Sequence, residues 1–345
     1  KPKKVSSKNG YTLVIHNLNT GEEDKIPYVT SYTFAKEAEI LSYVTTGIKD
    51  SINAGVYVID LKKWDSKHIF HSHDKTKYYK LTLSDSGDNL AFIIDSDTSK
   101  SYHRNNELYI WDKTVDKASI IANTKISPEG YRVSSDGMVM FSKDESKLYF
   151  GLALPEIYQD TLLLDEEIVN VEVWSYNEPR LYTVQEMQVK NDKRKSFQTV
   201  FHLKNKKIVQ IANKEFPRAF LSDEGNGKHA LIIRTEPYQL SSQWTGQFSK
   251  NDLKVINIDN GLSKMAIKGN SNYARFSPKG KYAYGYNEYD STWYTYNIET
   301  SKYTELTKGK IFYNELSDYP DYPRSYGSAG WTEDDKSILI YDRYD

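Results

Sequence analysis

One pattern recurs six times along this chain and limits what the chain can fold into. An apolar or aromatic residue is followed by a small, usually polar one, then by acidic, Pro or Lys residues, then by a short β-rich run. It reads FAKEAEILSYV from Phe34, LSDSGDNLAFII from Leu83, FSKDESKLYFG from Phe141, LSDEGNGKHALII from Leu221, FSPKGKYAYGY from Phe276 and WTEDDKSILIY from Trp331. The starts lie 49, 58, 80, 55 and 55 residues apart, near or above the roughly 40–50 residues of a propeller blade. The polar centre of each unit reads as a turn. The run after it alternates or is continuously apolar, as an inner strand is.

A second half-unit follows most of these, another strand leading into a hairpin: GVYVIDLKK from Gly55, ELYIWDKT from Glu107, TVFHLKNKKIVQIA from Thr199, LKVINIDNG from Leu253 and WYTYNIETSKYTELT from Trp293. Their turns carry Asp, Asn, Gly and Lys, which hairpin loops favour. Two half-units make four strands, one blade. The expected fold is therefore all-β, a β-propeller of about six four-stranded blades, within a range of six to eight. Residues 1–345 read as one propeller domain, with an insertion at 155–195 in the third blade. The segment from Tyr11 is a second half-unit with no first half before it, and the one at Trp331 a first half-unit with no second half after it. Their pairing into a composite blade would close a six-bladed ring and remove exposed edges. The alternative is a piece cut from a larger propeller. The chain starts at Lys1 without Met or a signal segment, which suggests a processed or trimmed piece of something longer.

Composition fits this reading and excludes other classes. Among 345 residues there are 29 Tyr, against 12 Phe and 6 Trp. Tyr is a strand former with an apolar body and a wet tip, so the excess favours half-exposed strands. A formal net charge of −1 argues against nucleic acid as a partner, since phosphate contacts need a basic excess. The mean hydropathy of −0.69, with no apolar run near 18 residues, argues against a membrane span. With no cysteine, a disulfide framework, a thiolate metal site and a Cys nucleophile are all excluded.

Nucleotide and nucleophile motifs are missing: no G-x-S-x-G, no phosphate-binding P-loop, no G-x-G-x-x-G opening a helix. The nearest string to the first is GSAGW at Gly327–Trp331, without the required spacing. His68, His71, His73 and Asp74 cluster in HIFHSHD. On a strand His71 and His73 would share a face and could ligate zinc or nickel, although the lysine-flanked segment reads more simply as a solvated loop. No metal or other cofactor is expected. Asp165, Glu166 and Glu167 stand in a row within the insertion, either a solvated acidic loop or a patch for a substrate ammonium group. The insertion itself reads as a long hairpin decorating one blade, or as an element projecting toward a partner domain or substrate. YNEYDSTWYTY from Tyr286 and SDYPDYPRSYGSAGW from Ser317 are dense in aromatics. They read as blade packing, or as a stacking platform for sugar rings.

The string VEVWSYNEPRLYTVQ, preceded by DTLLLDEE, resembles the propeller of the prolyl oligopeptidase family, and most closely its large secreted Bacteroidetes-type members. The matching residues are Asp160, Thr161, Val171, Val173, Trp174, Pro179, Leu181 and Gln185. The terminal SYGSAGWTEDDKSILIYDRYD and FSKDESKLYFG from Phe141 are similar to the same family. The resemblance implies a non-catalytic propeller that caps an α/β-hydrolase domain of the same polypeptide and restricts access to short peptides. That domain would carry Ser, Asp and His, none of which lies in this chain. The parent protein would be a periplasmic or secreted serine peptidase, and this chain alone no enzyme. Some dipeptidyl-peptidase relatives hold the substrate's amino terminus with a propeller Glu pair. Glu166 and Glu167 occupy the comparable insertion, with flanking residues that differ from that motif. Two other readings stand beside this one: a stand-alone periplasmic protein-binding propeller, and a carbohydrate-active propeller.

Overall fold

The computed structural model describes residues 10–47, 52–73, 75–99, 104–156, 164, 166, 167, 171, 172, 174–246, 250–318 and 320–344. The chain divides into two compact units, Lys1–Tyr158 with Phe201–Lys207, and Gln159–Val200 with Ile208–Asp345.

In the first unit, β1 (Tyr11–His16), β2 (Glu23–Phe34), β3 (Ile40–Thr45), β4 (Gly55–Asp60) and β5 (Asp65–His71) form an antiparallel meander. β2 changes partner half-way: up to Val29 it pairs with β1, and from Val29 onward with β3. Tyr28 sits at the changeover with φ 60°. The four-stranded blade thus runs from the second half of β2 to β5, and the β1 hairpin is the lone half-unit read at Tyr11. A second sheet follows, β6 (Lys77–Leu83), β7 (Asn89–Asp95), β8 (Glu107–Asp112) and β9 (Ser119–Ala122). Next, β10 (Arg132–Val133) and β11 (Met140–Phe141) both pair with β12 (Lys147–Ala153). The strands β13 (Phe197–His202) and β14 (Lys207–Gln210) come after the insertion.

The second unit holds two further four-stranded meanders. One is β15 (Arg218–Leu221), β16 (His229–Arg234), β17 (Asn251–Asn257) and β18 (Ser263–Asn270). The other is β19 (Arg275–Phe276), β20 (Tyr282–Asn287), β21 (Thr292–Asn297) and β22 (Tyr303–Glu305). A two-stranded sheet, β23 (Ser328–Trp331) and β24 (Ile338–Ile340), is the half-unit read at Trp331. Four-stranded antiparallel meanders repeated along the chain are propeller blades. The fold is a nearly all-β propeller.

The inner strands are apolar throughout because both of their faces are covered. β7 and β12 are buried along almost their whole length, whereas β5 and β22 are largely exposed or half-buried. In the first unit Val44, Val56 and Val58 of one blade meet Leu90, Phe92 and Ile94 of the next. In the second, Leu231, Ile233 and Leu253 meet Ala283, Tyr296 and Ile298. Each such side chain contributes about 1.5–3 kcal/mol on burial. Much of the tyrosine excess goes into cross-strand stacks on these sheets. Phe92 and Tyr109 lie parallel at 5.7 Å, and Tyr294 and Tyr303 stack at 5.2 Å.

In four of the six repeats the polar turn has one geometry and a physical job. Its Ser or Thr oxygen accepts the N–H of the residue five places on: Ser84 from Asn89, Ser142 from Lys147, Ser277 from Tyr282 and Thr332 from Ser337. Its carbonyl accepts the N–H three places on, from Gly87, Glu145, Gly280 and Asp335. Those four residues all have φ between 55° and 76°, the left-handed region that Gly enters without steric cost. Where an acid takes that position it grips the turn of the preceding blade. Glu145 accepts the N–H and O–H of Ser86, each at 2.7 Å. Asp335 accepts Ser277 O–H at 2.6 Å and the N–H groups of Lys279 and Lys281 at 3.0 and 3.1 Å. Lys143 adds a clasp in the first unit, bonded to Glu37 at 2.6 Å and Asp85 at 2.7 Å.

Two helices interrupt the β pattern. The insertion contains α1 (Tyr182–Lys193) rather than the two strands of a long hairpin, and α2 (Glu236–Thr245) stands between β16 and β17. Among the described residues no helix is long and apolar enough to cross a membrane.

Candidate functional site

The described residues of the insertion are held by polar contacts. Leu181 precedes α1 and offers no side-chain cap, so the helix start needs partners from elsewhere. Gln243 of α2 supplies them: its Oε1 accepts the Leu181 N–H at 2.5 Å and its Nε2 donates to the Pro179 carbonyl at 2.8 Å. Arg180 pairs with Asp192 across the helix at 2.7 Å, and Gln185 Nε2 donates back to the Arg180 carbonyl at 2.7 Å. Glu172 accepts the Tyr182 hydroxyl at 3.0 Å and the Trp174 indole N–H at 3.3 Å. The Trp174 and Tyr182 rings are 5.0 Å apart.

Among the described residues of the insertion, several large apolar side chains are exposed. Trp174 is 66% exposed, Tyr176 78% and Met187 79%, and Val171 and Val189 are exposed beside them in sequence. None of the α1 residues is buried.

Glu166 and Glu167 lie in an exposed turn of this insertion. Glu167 Oε2 accepts the Leu164 N–H at 3.0 Å and so closes its own turn. Asp165, and Asp160, Thr161 and Val173 of the family-like string, lie outside the described residues. Of the remaining string residues, Pro179, Leu181 and Gln185 build the start of α1, and Val171 and Trp174 are exposed.

The histidine cluster is only partly brought together: the His68 and His71 rings meet edge to face at 5.6 Å. His68 lies flat on Tyr57 at 4.3 Å, and Tyr57 on Tyr43 at 5.0 Å, a three-ring ladder across β3, β4 and β5. Burial pushes the His68 imidazole below its usual range, and nearby Lys117 adds to this. His71 ends β5, and His73 lies beyond the strand, so the shared face required of two ligands is not formed. Asp74 lies outside the described residues. Among the described residues no group of three or more His, Asp or Glu is placed to hold a metal ion.

The two aromatic strings do come together. Tyr284 and Tyr286 of β20, Trp293 of β21 and Arg324, Ser325, Gly327 and Ser328 line one cavity of about 340 Å³. Glu288, the first residue after β20, lines it too. Sequence reading did not single out Glu288 or Gln243. Gln243 had an available signal, because a Pro in the first turn of α2 and Gly246 at its end are helix punctuation.

No family model matches the chain, and no curated protein matches it in sequence. Solved structures do match in shape. Peptidases are among them. The chain is similar to the tricorn protease over 97% of its own length, with a TM-score of 0.38 and 12% identity, and it spans 29% of that chain. It is similar to Porphyromonas gingivalis dipeptidyl peptidase 4 over 88% of its length, with a TM-score of 0.42 and 13% identity, spanning 45% of that chain. An oligogalacturonate lyase in complex with manganese matches over 97%, with a TM-score of 0.37 and 11% identity, spanning 83% of that chain. At such identities the likeness is one of fold.

Proposed function

We propose that this chain is the non-catalytic propeller of an exported serine peptidase, docked on an α/β-hydrolase domain of the same polypeptide. The observation that carries the proposal is the insertion. It bears the string that resembles the prolyl oligopeptidase family, and it turns Trp174, Tyr176 and Met187 outward on a scaffold fixed by Gln243. A covering domain would bury that surface, and the hydrolase is the domain the resemblance implies. The propeller would then wall off the hydrolase site and admit short peptides. Serine hydrolysis requires a Ser-His-acid set and an oxyanion hole, which the hydrolase domain would contribute. Glu166 and Glu167 are the residues we assign to a substrate's amino terminus, since carboxylates in an open turn can reach an ammonium group.

The test is a fluorophosphonate serine-hydrolase probe applied to the natural full-length polypeptide and to the 345-residue chain. The expected result is a labelled serine outside residues 1–345, hydrolysis of aminoacyl-proline chromogenic peptides by the full polypeptide, and none by the 345-residue chain. An active 345-residue chain, or an unlabelled natural polypeptide, would refute the proposal. Trp174→Ser combined with Met187→Glu should leave the propeller folded while lowering activity in the full polypeptide.

A further inference from the structure

The cavity beside β20 and β21 contains an acid that the fold does not account for. Glu288 is 8% exposed. Its backbone N–H donates to Ser271 Oγ at 2.9 Å, but its carboxyl group makes no hydrogen bond or ion pair among the described residues. Burial raises the acid above its usual pKa, Arg324 pulls it back, and Asp321 pushes it further up. Leaving a buried polar group without a partner is costly, and native structures seldom tolerate it without a use. The cavity holds one polar atom that is itself fully buried in this way. The indole N–H of Trp293, a residue 7% exposed, is buried without an acceptor. Both residues line the same cavity.

The rest of the lining is fixed in place. The Tyr286 hydroxyl donates to the Pro323 carbonyl at 2.8 Å, tying β20 to the loop that carries Arg324. That loop is held again where Asn314 N–H donates to the Arg324 carbonyl at 2.7 Å and where Tyr313 bridges Ser325. The Tyr286 and Trp293 rings meet at 5.7 Å. Arg275 and Arg324 are exposed residues of the lining, whereas Glu288, Tyr286 and Trp293 are buried ones.

We propose that this cavity binds a single sugar ring. The two guanidinium groups disfavour an amine, and the buried carboxyl disfavours a simple anion. A ligand satisfying both needs adjacent groups that donate and accept, which sugar hydroxyls do. A hydroxyl can donate to Glu288, others can accept from Arg324 and Arg275, and the apolar face of the ring suits Tyr and Trp. At roughly 30 Å³ per water, about 340 Å³ is room for some eleven waters, the scale of one hexose. The site is independent of the peptidase reading and stands if that reading fails.

The test is a titration of the 345-residue chain with methyl glucoside, methyl galactoside, methyl mannoside and glucuronate, followed by calorimetry and tryptophan fluorescence. Methylamine and acetate serve as charge controls. The expected result is saturable millimolar binding of at least one sugar, with neither control binding; the neutral and acidic arms tell which kind of sugar it is. Glu288→Gln should weaken binding by at least about tenfold with little change in the melting temperature, because the carboxyl it replaces makes no hydrogen bond or ion pair among the described residues. Trp293→Phe and the exposed Arg324→Gln test the same pocket if Glu288→Gln fails to fold, and each should weaken binding. No binding by any sugar, binding of methylamine or acetate alone, or sugar binding unchanged in these variants would overturn the proposal.

Discussion

Asp335 offers the sharpest test of how the repeats hold together. It is 1% exposed and accepts Ser277 O–H at 2.6 Å, Lys279 N–H at 3.0 Å and Lys281 N–H at 3.1 Å. Hydrogen bonds to a charged group contribute about 1.5–3 kcal/mol each, but three on one carboxylate do not add in full. After Asp335→Ala, Ser277 Oγ retains the Tyr282 carbonyl at 3.3 Å as an acceptor. Lys279 and Lys281 are exposed residues, so water can reach part of what is lost. The cost should therefore be about 2–4 kcal/mol, a drop of roughly 3–6 °C in melting temperature for a chain of this length. The backbone complicates the reading, since Asp335 has φ 56°. Asp335→Gly separates the two effects, because Gly87 and Gly280 hold the same turn position in other repeats. The Gly variant should recover about 1 kcal/mol relative to Ala and remain clearly less stable than the parent. Urea unfolding followed by circular dichroism measures all three proteins. An Asp335→Ala variant within about 0.5 kcal/mol of the parent, the range of ordinary surface changes, would refute the inter-blade grip.

Glu145 predicts an acid limit. Burial pushes its carboxyl upward, but hydrogen bonds led by that from Ser86 together hold it below the ordinary value of 4.5. A folded pKa below the unfolded one means a contribution that is present above pH 4.5 and is lost as pH falls through the folded value. Melting temperature should thus fall below about pH 4.5, and Glu145→Gln should flatten that part of the curve; an identical curve would contradict the contact. Gly280→Ala places a Cβ 2.8 Å from the Ser222 Cβ at φ 72°, so a loss of about 1–3 kcal/mol is expected on denaturation, and a neutral result would refute the close packing. Gln243→Ala removes the two bonds at the start of α1. It should increase hydrogen exchange and proteolysis around Leu181 while global stability changes by less than about 1 kcal/mol, and unchanged exchange would refute its role.

The turns and inner strands were legible because their physics is local. A Ser or Thr oxygen that closes a turn on an N–H five residues away leaves a similar string in the repeats at Leu83, Phe141, Phe276 and Trp331. The grip of Glu145 or Asp335 on another blade was not legible. In sequence both are further acids in acidic turns, and only the left-handed backbone aims them. α1 was hidden for a similar reason. YTVQEMQVKNDK has no buried face, so it leaves no apolar period to read, and its start is capped by Gln243 from 62 residues away. α2 did carry a Pro and a terminal Gly, but its flanks are strands and the apolar pattern is weak. The aromatic strings pointed to their neighbourhood, although what makes the cavity a candidate site is Glu288. Nothing in YNEYDSTWYTY separates that buried acid from the exposed Asp290 two residues later.

The central claim, that this propeller serves a hydrolase by screening its substrates, is tested most directly by peptide length. The natural full-length polypeptide should be assayed for kcat/KM on a graded series of peptides sharing one cleavable site, from dipeptide derivatives to folded domains. A steep fall with length, relaxed by Trp174→Ser with Met187→Glu, is the predicted result. A kcat/KM that is independent of length would contradict it.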